Sequence, residues 1–332
     1  MEYLKCPLHI RFAAGSRARL CLKNVKRICH KNNRLNKKTM NKSFTYYLTI
    51  LVIQLKGIKK IFSKSPIDYL KLRRIDVYSS TSRFYKTNQI STFQILKTAI
   101  TQIENIKKTD KLLIYLHGGA FVSGPAQHHW DSMEIISKKT NFNIWMCNYP
   151  KAPENKIEEI SINMDQIYQK ALSKYQSENI ILMGDSAGGT LVIALTQRLI
   201  LKKEKLPSKL ILISPVIDAT FKNEDIMAID KKDVMLSQIG VLSAIHMCSE
   251  HSNDIRISPI NGKFNFFPKT YLYLAEHDIT FPDQLLFSKE LNREKIDTQI
   301  NIGKEMPHIW PLLPVMKEAK IALSQIIANI NT

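Results

Sequence analysis

The segment NIILMGDSAGGT, residues 179–190, is the most informative part of the sequence. Its apolar first half predicts a buried strand, and residues 190–201 after it predict an amphipathic helix. Between them Ser186 stands two positions after Gly184 and two before Gly188. This G-x-S-x-G spacing is typical of a tight strand–turn–helix elbow, which carries the serine hydroxyl clear of the sheet to a helix N-terminus. The stretch therefore predicts that Ser186 is a nucleophile.

Short apolar runs and longer amphipathic segments alternate on both sides of this stretch. This alternation favours an α/β fold with a mostly parallel central sheet and helices on both faces. The predicted strands are residues 111–116, 143–147, 179–183, 209–213, 270–274 and 298–302. The predicted helices are residues 157–175, 190–201, 282–292 and 315–330.

Three further segments complete the predicted organisation. RIDVYSS and STFQILK, residues 74–80 and 91–97, predict one or two antiparallel edge strands. Residues 219–265 are expected to be mostly helical and to lie above the strand ends as a cap. The run FTYYLTILVIQL, residues 44–55, is shorter than the roughly 20 residues of a membrane span. It predicts a packed or membrane-surface helix, so we predict one domain over 40–332 with its cap from about 40–65 and 219–265.

Composition restricts the function classes. The chain has 332 residues, 44% of them apolar, and five cysteines, which argues against a disordered chain or a disulfide scaffold. Its net charge is +19, but residues 1–39 alone carry eleven basic residues and one acid. The remaining excess is ordinary for a solvated surface, so we expect no nucleic-acid partner. Residues 1–39 are interpreted as a disordered basic extension, a targeting peptide, or sequence joined upstream of a chain that starts at Met40.

The loop His117-Gly118-Gly119-Ala120-Phe121 follows the first of the predicted parallel strands. Small residues let several backbone N–H groups point at one spot. Gly118, Gly119 and Ala120, together with the N–H of Ala187, are therefore predicted to form an oxyanion hole. The alternative is a plain turn between a strand and a helix.

A serine hydroxyl needs a general base, and nine histidines compete for that role. His308 follows the last predicted strand and precedes the last helix, where ligand chemistry gathers in such sheets. The chain order Ser, Asp, His of this kind of site also requires a late histidine. We therefore predict His308 as the base. The others are assigned to the N-terminal extension, the glycine loop, packing or surface sites, or a solvated loop: His9, His30, His117, His128, His129, His246, His251 and His277.

The acid that orients His308 is expected just after the strand at 270–274. Asp278 lies at that strand end, and its carboxylate would fix the tautomer of the imidazole. Glu276 and Asp283 remain rivals for this role.

Taken together, HGGAF, GDSAGG, EHD and PHIW, in that order, resemble the hormone-sensitive-lipase-like branch of the α/β-hydrolase superfamily. NYPKAPE at 148–154, SPVID at 214–218 and Ser258-Pro259 add to the resemblance, which covers roughly residues 110–330. Two features depart from it: Ala120 replaces the third glycine of the usual H-G-G-G, and the 148–154 segment is a loose match. Because Ala120 still has an N–H, we expect a narrower acyl site rather than lost activity.

The resemblance implies a serine carboxylesterase that acts on short acyl chains through a Ser-His-Asp triad. A lipase on longer chains and an amidase or deformylase stay open as alternatives, whereas a receptor is disfavoured because the acid and the histidine are both present. We expect no metal and no cofactor. The expected partner is a small ester, with at most weak contact to a membrane surface. The protein is expected to be a cytoplasmic monomer or homodimer.

Overall fold

An eight-stranded sheet forms the centre of residues 42–332, the part of the chain that the computed structural model describes. The predictions for residues 1–39 lie outside these residues. The strands, in chain order, are β1 (Ile90–Ile95), β2 (Thr98–Ile103), β3 (Leu112–Leu116), β4 (Asn143–Asn148), β5 (Ile180–Asp185), β6 (Lys209–Ile213), β7 (Lys269–His277) and β8 (Thr298–Pro307). Their order across the sheet is β1-β2-β4-β3-β5-β6-β7-β8. The six strands from β3 to β8 pair in parallel with one another, whereas β1 pairs antiparallel with β2 and β2 pairs antiparallel with β4.

The central strands are buried along their whole length. Every residue of β3 and β5 is inaccessible to solvent, which requires cover on both faces of the sheet. This explains why their sequences are continuous apolar runs instead of alternating ones. The α/β class with a mostly parallel sheet, predicted from those runs, is confirmed.

The register places the catalytic candidates at one edge of the sheet. Leu116 pairs with Gly184 at the ends of β3 and β5, and His277 pairs with Pro307 at the ends of β7 and β8. Because parallel strands end on the same side, the loops that follow these four strands come together there.

Helices make up most of the remaining chain. Those that precede or follow sheet strands are Gln127–Lys139, Ile157–Leu172, Ala187–Leu201, Phe281–Arg293 and Lys317–Asn331. The N-terminal helices are Phe44–Lys56, Ile58–Phe62, Tyr69–Arg73 and Arg83–Thr87. Two more, Ile226–Asp230 and Gln238–Cys248, lie in the predicted cap segment.

The helix Ile157–Leu172 shows how sequence sets such an element. Ile157, Ile160, Met164 and Ile167 recur at helical spacing, and all are buried. Two glutamates occupy its first turn and Lys170 its last, which suits the helix dipole.

One of the two predicted edge strands is wrong. Residues 91–97 overlap β1, but residues 74–80 make only an isolated bridge from Asp76 to Ala126. The partner of β1 is instead β2. The alternation in RIDVYSS does not mark a buried strand face, because Ile75 is exposed and Val77, on the same side of the alternation, is only partly buried.

Within residues 42–332, no helix is both long enough and apolar enough to cross a membrane. The apolar run at 44–55 forms the helix Phe44–Lys56, as predicted. It is followed at Gly57 by a left-handed residue and then by the short helix Ile58–Phe62.

Candidate active site

Ser186 lies on a strained turn between β5 and the helix Ala187–Leu201. Its φ and ψ are 49° and −124°, a conformation that non-glycine residues rarely adopt. The flanking glycines are needed for close packing. A Cβ on Gly184 would lie 2.5 Å from the carbonyl oxygen of Gly188, and one on Gly188 would lie 2.0 Å from that of Leu116. The turn therefore has the geometry that G-x-S-x-G predicts.

His308 and Asp278 are joined by a short, buried hydrogen bond. The Nδ1 of His308 lies 2.7 Å from Oδ2 of Asp278, and both side chains are almost inaccessible to solvent. The other oxygen, Oδ1, accepts the N–H of Thr280 at 2.9 Å. The carboxylate is thus held from both sides, and a proton on Nδ1 leaves Nε2 as the basic nitrogen.

The loop that carries His308 is fixed by two further contacts. The N–H of Ile309 donates to Oγ of Ser214 at 3.1 Å, and the indole N–H of Trp310 donates to the carbonyl of Leu274 at 3.1 Å. Ile309 itself adopts a left-handed conformation. The imidazole therefore has little freedom to leave its place beside Asp278.

The acidic surroundings raise the pKa of His308. Burial acts to lower it, but the Asp278 carboxylate raises it through its charge and its hydrogen bond, and Asp233 and Asp185 raise it further. The net pKa lies above the ordinary value near 6.5. The site thus favours the imidazolium that a general base becomes when it accepts a proton.

The two rival acids lie in other contacts. The carboxylate of Glu276 accepts the N–H of Glu305 at 3.0 Å. Asp283 accepts from the side-chain amide of Asn223 at 2.8 Å. His277, expected in a solvated loop, is instead the last residue of β7.

The glycine loop turns sharply beside Ser186. Gly119, Ala120 and Phe121 all have positive φ, at 127°, 52° and 63°. The N–H of Gly118 donates to Oδ1 of Asp185 at 2.9 Å, so it is not available to a substrate. Within residues 42–332 no acceptor takes the N–H of Gly119 or Ala120.

The N–H of Ala187 also donates to no acceptor within residues 42–332, but for a different reason. Ala187 is the first residue of its helix, so its N–H has no carbonyl one turn earlier to donate to. Three N–H groups near Ser186 are therefore left for a ligand oxygen.

Asp185 is the buried anchor of the glycine loop. Besides Gly118, its Oδ1 accepts the hydroxyl of Tyr115 at 2.5 Å, and its Oδ2 lies 3.5 Å from Nε2 of His129. Although burial opposes it, the charge and hydrogen bond of His129, together with Tyr115, hold the pKa of Asp185 below its usual range. His129 is thus a packing histidine, as predicted, but one that supports this loop.

Sequence reasoning missed a second support for the loop. Arg73 donates from Nε to the carbonyl of Val122 at 2.7 Å, and Oδ1 of Asp76 accepts the N–H of Gly124 at 2.7 Å. Both residues belong to or border RIDVYSS, which the alternation marked as a strand. No motif signals them, because their partners are backbone groups some fifty positions away along the chain.

Ser186 and His308 line one cavity of about 120 Å³. Its other walls are largely apolar and come from the glycine loop, the N-terminal helices and the cap segment. Ile58, Phe62 and Leu72 belong to the N-terminal helices, and Met235, Leu236, Val241 and Ile245 to the cap segment. The extent of the cap itself stays a prediction.

The Ser186 hydroxyl and the imidazole of His308 make no hydrogen bond to each other in residues 42–332. In unliganded enzymes such contacts often tighten only when substrate binds. Among the same residues there is no group of three or more His, Cys, Asp or Glu side chains that could hold a metal ion.

The chain is similar to several known proteins. An esterase from Acinetobacter venetianus is 27% identical over 258 residues, which are 75% of this chain and 85% of that protein. Esterase LipU from Mycobacterium tuberculosis is 26% identical over 66% of this chain and 76% of its own length. The crystal structure of an esterase from the bacterial hormone-sensitive lipase family has a TM-score of 0.77 and 21% identity, over 88% of this chain and 99% of that one. The sequence model of the α/β-hydrolase fold matches residues 113–312, so the chain belongs to the α/β-hydrolase fold family.

Proposed function

We propose that this protein is a serine carboxylesterase that hydrolyses short-chain acyl esters. The observation that carries the proposal is the meeting of three features in one cavity: Ser186 on its strained elbow, His308 bonded to Asp278, and unused N–H groups beside the serine. Membership of the family and the esterase relatives support ester chemistry.

In the first step Ser186 attacks the ester. Its Oγ forms a bond to the carbonyl carbon while its proton passes to Nε2 of His308. The carbonyl oxygen becomes an oxyanion, held by the N–H groups of Gly119, Ala120 and Ala187. Removing one such donor typically costs about 3 kcal/mol of transition-state stabilisation. The imidazolium is stabilised meanwhile by Asp278.

In the second step the tetrahedral intermediate collapses. The bond between the carbonyl carbon and the alcohol oxygen breaks, and His308 gives its proton to the leaving alcohol. Water then attacks the acyl-enzyme, with His308 again accepting the proton. The acid is released and Ser186 is regenerated, so the cycle consumes only ester and water.

The size of the cavity favours a short acyl chain. At about 120 Å³ it is smaller than the roughly 300–1,000 Å³ of pockets for drug-sized ligands. Ala120 adds a methyl group at a position where a glycine would leave more room, because this residue lines the cavity.

The test is hydrolysis of p-nitrophenyl acetate, butyrate, octanoate and palmitate by the wild type and by Ser186→Ala. We expect the highest rates on acetate or butyrate, and loss of most of the activity in the variant. Activity that survives the substitution would refute the serine mechanism. Failure to turn over any ester, with turnover of an amide, would support the amidase alternative instead.

A second candidate function, a lipase that acts at lipid surfaces, is favoured by one observation. The helix Phe44–Lys56 exposes Phe44, Tyr47, Leu51 and Leu55, and the next helix lines the cavity. Such a face suits weak contact with a membrane surface. A rate that jumps above the aggregation point of the ester, and that drops when Leu51 and Leu55 are replaced by serine, would favour this function.

Two further parts of the proposal concern the state of the protein. We propose a monomer or homodimer with a cytoplasmic location. Sedimentation analysis of the full chain tests the first part, and fractionation of cells that express it tests the second.

A further inference from the structure

A second buried carboxylate, Asp233, lies next to the proposed catalytic acid. It belongs to the segment between the helices Ile226–Asp230 and Gln238–Cys248, and only 2% of its surface is exposed. The mechanism above gives it no chemical step. A buried carboxylate is costly unless it is well hydrogen-bonded, so its contacts need an explanation.

The two oxygens of Asp233 connect different parts of the site. Its Oδ1 accepts the N–H groups of Met235 at 2.8 Å and Leu236 at 2.9 Å, and both residues line the cavity. Its Oδ2 accepts the N–H of Ile279 at 3.0 Å, the residue directly after Asp278. One side chain thus joins the cavity wall to the loop of the catalytic acid.

The backbone of Asp233 is also fixed. Its N–H donates to the carbonyl of Ile229 at 2.9 Å, and its carbonyl accepts from Nζ of Lys59 at 2.6 Å. The same ammonium group lies 3.1 Å from Oδ1 of Asp230. Lys59 belongs to the N-terminal helix Ile58–Phe62, so this helix holds the backbone that carries the carboxylate in place.

Several charged groups act on one another here. The pKa of His308 is raised by Asp278 after β7, by Asp233 in the cap segment and by Asp185 in β5. The charge of His308 in turn lowers the pKa of His128. The pKa of Asp233 depends on the charges of Asp278 and His308. Burial and then the charge of Asp278 raise the pKa of Asp233 to about 7, against the N–H of Leu236 and the charge of His308.

We propose that Asp233 is a positioning residue, which holds the loop of Asp278 against the cavity wall and keeps a second negative charge close to His308. This inference rests on the proposed esterase function. Three N–H groups donate to its two oxygens, and a carboxylate can accept all three hydrogen bonds. An asparagine in the same place would turn an NH₂ group toward at least one of these donors.

The test is the pH dependence of kcat/KM for p-nitrophenyl butyrate in Asp233→Asn. Loss of the negative charge weakens the stabilisation of the imidazolium, so the pKa of His308 falls. Because the pKa of Asp233 is itself about 7, its negative charge is present mainly on the upper part of the acid limb, and this limb should move to lower pH by about half a unit. The rate on the alkaline plateau should also drop, because the loop of Asp278 loses a contact. An acid limb that stays in place would overturn the proposal.

Asp283→Asn is the matched control. Asp283 is also buried close to the Asp278 loop, but it faces Asn223 and Asp218, and it is not among the largest causes of the raised pKa of His308. Its substitution should leave the acid limb unmoved. An equal movement in both variants would show a general effect of removing buried charge and would also overturn the proposal.

A second measurement keeps the proposal testable if Asp233→Asn does not fold. NMR titration of the His308 ring protons in the wild type should show two coupled steps, because the charges of Asp233 and His308 act on each other. A curve for one independent proton would contradict this. The titration needs no turnover, so it separates failure of this inference from failure of the proposed function.

Discussion

At Ser186 a single residue carries a backbone conformation that costs free energy. A non-glycine residue in such a region is unfavourable by roughly 1–3 kcal/mol and persists only where its surroundings enforce it. Here the enforcing contacts are the close approaches at Gly184 and Gly188. The spacing of these glycines is visible in the sequence, which is why this part of the site was predictable.

The substitution Asp278→Asn tests directly whether this residue is the acid that orients His308. The amide can no longer stabilise a positive imidazole or fix its tautomer, so kcat should fall by about 10³–10⁴-fold. Steady-state kinetics on p-nitrophenyl butyrate measures this fall. Glu276→Gln serves as the control, since its carboxylate accepts the N–H of Glu305 instead of contacting His308, and it should stay within about tenfold of the wild type. The opposite ranking would move the acid role to Glu276.

The raised pKa of His308 fixes the direction of the pH dependence. The base must be neutral to accept the serine proton, so activity falls as pH drops through this pKa. Because the pKa is raised, the acid limb of kcat/KM should lie above pH 6.5, the ordinary value. A pH–rate profile with its acid midpoint well below 6 would show that burial outweighs the carboxylates.

At the scale of elements, the contact between the elbow helix and β3 has no spare room. Gly188, the second residue of the helix, lies close to the carbonyl of Leu116, so an added methyl group must displace main chain. In an ordinary helix interior the same change from glycine to alanine would stabilise by about 1 kcal/mol.

Gly188→Ala should therefore lower the free energy of unfolding by at least about 3 kcal/mol. Gly57→Ala is the matched control. Gly57 has a φ of 64° but nothing within 4 Å of an added Cβ, so only the backbone penalty of about 1–2 kcal/mol applies. Urea unfolding of both variants measures the difference. Equal losses would mean that the elbow can relax around the extra methyl group.

The strands and loops also show which structural features the sequence patterns could predict and which they could not. Buried parallel strands were predicted because strands covered on both faces of a sheet are typically apolar at every position. Residues 74–80 were misread because alternation alone does not supply a pairing partner. Arg73, Asp76 and Asp233 could not be predicted, since each recognises backbone groups far along the chain, and such groups leave no trace in residue type.

Across the whole molecule, the site is assembled from distant parts of the chain. The sheet brings the loops after β3, β5, β7 and β8 to one edge, and residues of the N-terminal helices and of the segment 219–265 line the cavity there. The chemistry is thus set by the sheet, whereas the size of the cavity is set by segments with little periodicity. This explains why the triad candidates could be named from sequence but the substrate could not.

Leu236→Ala should change the acyl preference. Leu236 is a nearly buried part of the cavity wall, so its truncation enlarges the space beside Ser186. The rate on octanoate relative to butyrate should rise severalfold, at a cost of about 2–4 kcal/mol in stability.

Leu291→Ala controls for that loss of stability. Leu291 is fully buried in the helix Phe281–Arg293 but does not line the cavity. A comparable loss of stability with an unchanged preference is expected. If both variants shift the preference equally, the cavity wall at Leu236 does not select chain length.

The most direct test of the central claim is mass spectrometry of the protein after reaction with a p-nitrophenyl alkylphosphonate. Such an ester phosphonylates an activated serine and releases p-nitrophenol. We expect one adduct per chain, on the peptide that contains Ser186, with loss of esterase activity in proportion to labelling. Labelling should be slower by orders of magnitude when His308 is replaced by alanine. An adduct on another residue, or full activity in a fully labelled protein, would refute the serine mechanism.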